Sequence, residues 1–153
     1  MINALTYVVC EKCQSINRVK FDFQSGKAPV CGKCKSRLGL HDGVSDLSSL
    51  SLNSLINKSP IPVVVDFWAP WCGPCLGFAP TFLATARRLK GRVVFGKVDT
   101  EAHPDAGQKF GVRGIPTLVA FLKGHEVNRI SGALPIDEFT KWVLQAVGVS
   151  LEA

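Results

Sequence analysis

The 153-residue chain has no run approaching 18 consecutive apolar residues, so it offers no membrane-spanning helix. Its opening, Met1 to Cys10, lacks the basic segment, apolar stretch and small-residue cleavage site of a secretory signal, and a cytoplasmic protein is expected. No low-complexity segment occurs, and no internal repeat except a pair of similar cysteine motifs, which argues against repeat arrays and tails. Histidine is scarce: His41, His103 and His125 stand apart, with no second histidine or carboxylate at metal-ligand spacing, and read as surface or loop residues. What is present is apolar. With 46% hydrophobic residues, 20% charged residues and mean hydropathy +0.19, the chain can bury a core, which excludes a disordered chain or a coiled coil. Its length suits one domain of ordinary size plus a small appendage.

Acidic residues are few where basic ones gather. The net charge is +6, and residues 1–40 hold seven Lys/Arg (Lys12, Arg18, Lys20, Lys27, Lys33, Lys35, Arg37) against Glu11 and Asp22. The remainder is nearly neutral. The run from Arg87 to Arg92 resembles a nucleic-acid patch, but it closes an expected helix, where cations are favoured by the helix dipole.

Cysteine occurs only as three Cys-x-x-Cys pairs: Cys10/Cys13, Cys31/Cys34 and Cys72/Cys75. A disulfide framework needs an oxidising compartment and a small core, and neither is indicated. Metal binding and thiol redox chemistry remain. The first two pairs form Cys-x2-Cys-x17-Cys-x2-Cys, a spacing that suits one structural Zn2+ ligated by Cys10, Cys13, Cys31 and Cys34. Between them Arg18 to Phe23 alternates polar and apolar residues as a short strand would, so a zinc-ribbon-like module over residues 1–42 is expected. So few apolar residues could hardly fold without a metal. A second redox centre is the competing reading, and a zinc centre whose oxidation expels the metal would be a redox sensor. Four thiolates and Zn2+ carry about −2 together, which offsets part of the basic excess and weakens a nucleic-acid role. The alternative class is a zinc-ribbon binding or chaperone module for nucleic acid or unfolded protein.

The third pair has a different setting. Ile61 to Trp68 is a nearly continuous apolar run interrupted by Asp66, as expected of a strand buried on both faces of a sheet. After Ala69-Pro70-Trp71 come Cys72-Gly73-Pro74-Cys75, then helical spacing through Phe78, Phe82, Ala86 and Leu89 up to Gly91. Cys72 then falls at a helix N-terminus, where free N–H groups favour a thiolate. Cys75 lies one turn inward, within reach of a mixed disulfide on Cys72. Onward, Val93 to Asp99 reads as a strand and Pro104 to Phe110 as a short helix. Leu118 to Leu122 and Val127 to Ser131 read as a hairpin around a turn at Lys123–Glu126, and a final helix opens at Pro135 with Ile136, Phe139, Val143 and Val147 on one face. The order is β-α-β-α-β-β-α with a mixed sheet. Ser45 to Ile56 reads as a helix with Leu47, Leu50 and Leu55 on one face, although the serines also suit a linker.

Val65-Asp66-Phe67-Trp68-Ala69-Pro70-Trp71-Cys72-Gly73-Pro74-Cys75, Phe78-Ala79-Pro80, Lys97-Val98-Asp99 and Gly111 to Thr117 closely resemble the thioredoxin family, over about residues 45 to 148. With the four-cysteine extension the chain resembles the zinc-containing bacterial members. The resemblance implies an α/β thioredoxin fold over residues 43–153, a central mixed sheet flanked by helices. It implies a protein-disulfide reductase with Cys72 as nucleophile and Cys75 as resolving thiol. Asp66 would exchange the proton of Cys75 through water, with Lys97 near it. A lone buried carboxylate is costly unless paired or functional, which favours that role independently. Pro116 would follow a cis peptide bond, the Ile115 backbone would pair with an extended substrate segment, and Trp71, Gly73, Pro74 and Gly114 would complete the docking surface. The implied partners are an NADPH-dependent flavoprotein reductase and disulfide-containing proteins, with no organic cofactor bound, no membrane, no nucleic acid and a monomeric state. Leu76 and Gly77 depart from the family, which commonly has a basic and then a bulky residue there.

Overall fold

A computed structural model describes residues 4–21, 29–41 and 43–150. Strands β1 (Ala4–Val9) and β2 (Ile16–Phe21) form an antiparallel pair. Of the strand expected over Arg18–Phe23, Asp22 and Phe23 lie outside the described residues; β1 has no counterpart in the sequence reading. A second sheet has the order β3-β4-β6-β5-β7-β8. Its strands are β3 (Leu40–His41), β4 (Val44–Leu47), β5 (Val63–Trp68), β6 (Val94–Asp99), β7 (Thr117–Leu122) and β8 (His125–Ser131). β4, β6 and β5 run parallel, whereas β3/β4, β5/β7 and β7/β8 are antiparallel. The sheet is therefore mixed, as expected, and it begins with β3 at Leu40.

Helices α1 (Ser49–Lys58), α2 (Gly73–Arg88), α3 (Pro104–Lys109) and α4 (Ile136–Val147) flank it. Alternation along β5 explains the layers. Val63, Val65 and Phe67 face one core with Leu52, Leu55, Ile56 and Ala106 of α1 and α3. Val64 faces the other, with Phe78, Phe82 and Ala86 of α2 and Phe139 and Val143 of α4. There Phe82 meets Phe95 edge-on at 5.4 Å and Phe78 meets Phe139 at 5.0 Å. Gly96 of β6 is a close approach: a Cβ there would run into the buried Leu47 side chain, whose Cγ lies 3.2 Å away.

Several boundaries differ from the sequence reading. Leu47 belongs to β4, not to a helix, and α1 buries Ser51, Leu52, Leu55 and Ile56 while Leu50 is 66% exposed. The cause is a long-range contact. Ser48 caps α1 in a box with Ser51, and the Glu11 carboxylate accepts from Ser48 N at 3.3 Å and from Ser51 Oγ, supplying the negative charge that the first helical turn lacks. Lys58 Nζ donates to Gln14 O at 3.1 Å, and Tyr7, Val9 and Ile16 pack against the core under α1. The N-terminal hairpin is thus docked on α1. At the other end of the sheet the turn between β7 and β8 is only Lys123–Gly124, both with positive φ (51° and 83°), so β8 starts at His125 rather than Val127. Ile136 is exposed although Phe139, Val143 and Val147 are buried.

Candidate functional site

Cys72 is the N-cap of α2. Its Sγ accepts from Cys75 N at 3.2 Å, and Pro74, which has no N–H to leave unsatisfied, lies in the first turn. The Cys72 and Cys75 sulfurs are bonded to each other, with Cα atoms 5.2 Å apart. Both are buried. Gly73, at the first helical position, is exposed, and nothing stands where its Cβ would be.

Across from the pair, Ile115 O lies 3.8 Å from Cys72 Sγ, and the Ile115–Pro116 bond is cis. Thr117 Oγ1 donates to Gly114 O and meets Ser131 Oγ at 3.2 Å, tying this loop to β8. Trp71 is 70% exposed. It lines an open groove of about 330 Å³ with Ile115, Arg113, Val112 and the α3 residues Pro104, Gly107 and Gln108.

Alternation on β5 turns Asp66 toward the α2 face, as it does Val64. Asp66 is fully buried, and neither carboxylate oxygen has a hydrogen-bond partner among the described residues. Burial pushes its pKa up to about 7, against a smaller opposing pull from the Lys97 charge. Lys97 pairs in register with Asp66 on one side and Asp46 on the other, and its ammonium lies 4.4 Å from the centre of the Trp68 ring. A carboxyl held near neutrality on the face that carries the dithiol helix can exchange protons at physiological pH.

The other four cysteines converge. The Sγ atoms of Cys10, Cys13, Cys31 and Cys34 all lie within 4.8 Å of one another. Two equivalent turns present them: Gln14 N donates to Cys10 O at 2.8 Å and Cys10 N to Ser15 O, while Lys35 N donates to Cys31 O at 3.0 Å and Cys31 N to Ser36 O. Gln14 and Lys35, each following the second cysteine of its pair, have φ of 63° and 65°. Cys10···Cys34 is 3.5 Å and Cys13···Cys31 is 3.6 Å, near the roughly 3.8 Å edge of a tetrahedron with metal–sulfur bonds of about 2.3 Å. Ser15 Oγ at 3.2 Å, the Cys34 amide and other donors lower Cys31 to about 5, which favours a thiolate ligand. The set could hold a tetrahedral metal ion.

Sequence reasoning missed Glu11, whose partners lie in α1, and it left His41 isolated where the structure sets its Nε2 3.8 Å from Asp46. Among the described residues no helix is long and apolar enough to cross a membrane.

The family model described as Thioredoxin matches residues 43–145. Thioredoxin C-3 of Corynebacterium nephridii is 41% identical over 138 residues, 90% of this chain and 93% of that protein, a match too long to be confined to the residues after the four-cysteine segment. Thioredoxin 1 of Chlorobaculum tepidum is 43% identical over 98 residues, 64% of this chain and 97% of its own. A chloroplastic M-type thioredoxin of Brassica napus is 42% identical over 93 residues, 61% of this chain and 52% of its own.

Proposed function

The chain belongs to the thioredoxin family and is a thiol–disulfide oxidoreductase; from that premise we propose that it reduces disulfides in other proteins and carries one structural zinc ion. The observation that carries this reading is a cysteine pair at the start of α2 on the sheet face that also holds a buried Asp66 with no hydrogen-bond partner among the described residues.

In this reading the Cys72 thiolate attacks one sulfur of the substrate disulfide. That S–S bond breaks, a mixed disulfide forms on Cys72, and the departing thiolate takes a proton from solvent. Cys75 gives its proton through water toward Asp66 and attacks Cys72 Sγ. The mixed disulfide breaks, the second substrate thiolate leaves and is protonated, and the Cys72–Cys75 bond closes, which is the bonding state seen here. Two electrons and two protons pass to the substrate. An NADPH-dependent flavoprotein reductase returns two electrons to the disulfide. Trp71, Gly73, Pro74, Gly114, Ile115 and Pro116 form the contact surface, where an extended substrate segment pairs with the Ile115 backbone.

Cys10, Cys13, Cys31 and Cys34 hold the zinc, which cross-links the two turns and stands in for the core that the small module lacks. A cytoplasmic location agrees with thiols kept reduced for metal binding. The test is reduction of a protein disulfide with the reductase and NADPH present: Cys72→Ser is expected to abolish turnover, and unchanged turnover refutes the reading.

A further inference from the structure

Two large apolar side chains are exposed on either side of Cys72: Trp71, 70% exposed, and Leu76, 54% exposed. Solvation of a leucine in this position is unfavourable, and Leu76 sits one helical turn from the nucleophile, its N–H donating to Cys72 O at 3.1 Å. Each side chain opens a groove. The Trp71 groove belongs to the docking surface described above. The Leu76 groove is larger, about 570 Å³, and no sequence feature announced it, because its walls come from separate segments: Leu76, Ala79, Pro80 and Leu83 along α2, and Val44 and Asp46 along β4.

The register explains its shape. Val44 and Asp46 project to the α2 face of the edge region of the sheet, and α2 lies across that face with Pro80 and Ala79 presenting short side chains. Most of its lining is apolar: Val44, Leu76, Ala79, Pro80, Phe82 and Leu83. Its polar groups are His41, Asp46 and Lys97, and the opposite charges of Asp46 and Lys97 stand in register on adjacent strands and offset each other. The groove therefore favours an uncharged, apolar occupant. Its wall at Leu76 lies one helical turn from Cys72, so a client held by its disulfide at Cys72 has neighbouring residues within reach of that end of the groove.

We propose that the Leu76 groove is a second substrate subsite, taking an apolar side chain close in sequence to the reacting cysteine of the client protein, with Leu76 and Ala79 as specificity-determining residues. This rests on the reading of Cys72 and Cys75 as the exchange pair. The client then spans the dithiol, anchored in the Trp71 groove on one side and in the Leu76 groove on the other. One added apolar contact of this kind discriminates by about tenfold.

The test uses the reduced full-length protein and synthetic serine-rich peptides, each with one cysteine in a mixed disulfide with a small chromogenic thiol. A single leucine is moved through the three positions on each side of the cysteine, and an all-serine peptide is the reference. For each form of the protein the readout is the ratio of second-order rate constants, leucine peptide over serine peptide, so that changes in thiol reactivity or in the folded fraction cancel. Wild type is expected to show a ratio of about ten at one or two positions, and Leu76→Gln and Ala79→Gln each to bring those ratios close to one. A wild-type ratio near one everywhere, or ratios that persist in both variants, would overturn the proposal. Failure of the wild type to reduce even the serine peptide would instead count against the exchange chemistry itself.

Discussion

Replacing Asp66 by asparagine removes the ionisation of a group that is fully buried and has no hydrogen-bond partner among the described residues. Burial raises this carboxyl from 3.8 to about 7, a shift that corresponds to about 4 kcal/mol. The folded state keeps its proton up to about pH 7, whereas the unfolded chain loses it near pH 4. Between those values the folded state binds the extra proton, so wild-type stability falls as pH rises and levels off above about pH 7. The substituted amide cannot ionise. In urea titrations of the oxidised protein, Asp66→Asn is expected to be the more stable form, with a stability gap that widens by about 2–3 kcal/mol from pH 5 to pH 8. The same variant is expected to reduce protein disulfides about tenfold or more slowly at pH 7, because the proton acceptor is gone. Stability curves that run parallel across this range would refute the burial argument, and an unchanged rate and pH profile would refute the catalytic one.

Cys75→Ser retains the nucleophile but cannot close the second step, so one client molecule is expected to remain attached through Cys72, seen as a covalent adduct by mass spectrometry under non-reducing conditions. No adduct with Cys75→Ser, or an equal adduct with Cys72→Ser, would reverse the assignment of the two thiols. Gly96→Ala forces a methyl group against Leu47, and a loss of about 1–3 kcal/mol is expected by thermal or urea unfolding, partly restored by Leu47→Val. A variant as stable as wild type would mean that Leu47 moves aside freely.

The position of the Cys72/Cys75 pair at a helix start and the helices beside it were legible because their signals are local. Phe78, Phe82, Ala86 and Leu89 recur at helical spacing and are all buried, and the apolar run that becomes β5 is broken only at the residue that faces the dithiol helix. β4 was not legible. Its four residues show no alternation: Val44 packs toward α2 and Leu47 toward α1, Ser45 is buried between them, and Asp46, on the same face as Val44, is exposed. The serine-rich stretch is a helix as expected, but its start and its buried face were misread for a related reason. Ser51 is buried through its bond with Glu11, forty residues away, and no local pattern reports that partner. Nor could the Leu76 groove be read, since proximity of β4 to the first turns of α2 is a property of sheet order rather than of either segment.

Zinc content and free thiols, measured together on anaerobically purified protein, decide whether the two sets of cysteines divide the labour. One zinc per chain is expected and, after mild oxidation, loss of two thiols only, those of Cys72 and Cys75. Protein without zinc, or loss of four to six thiols, would show that Cys10, Cys13, Cys31 and Cys34 are themselves redox-active and would contradict that division.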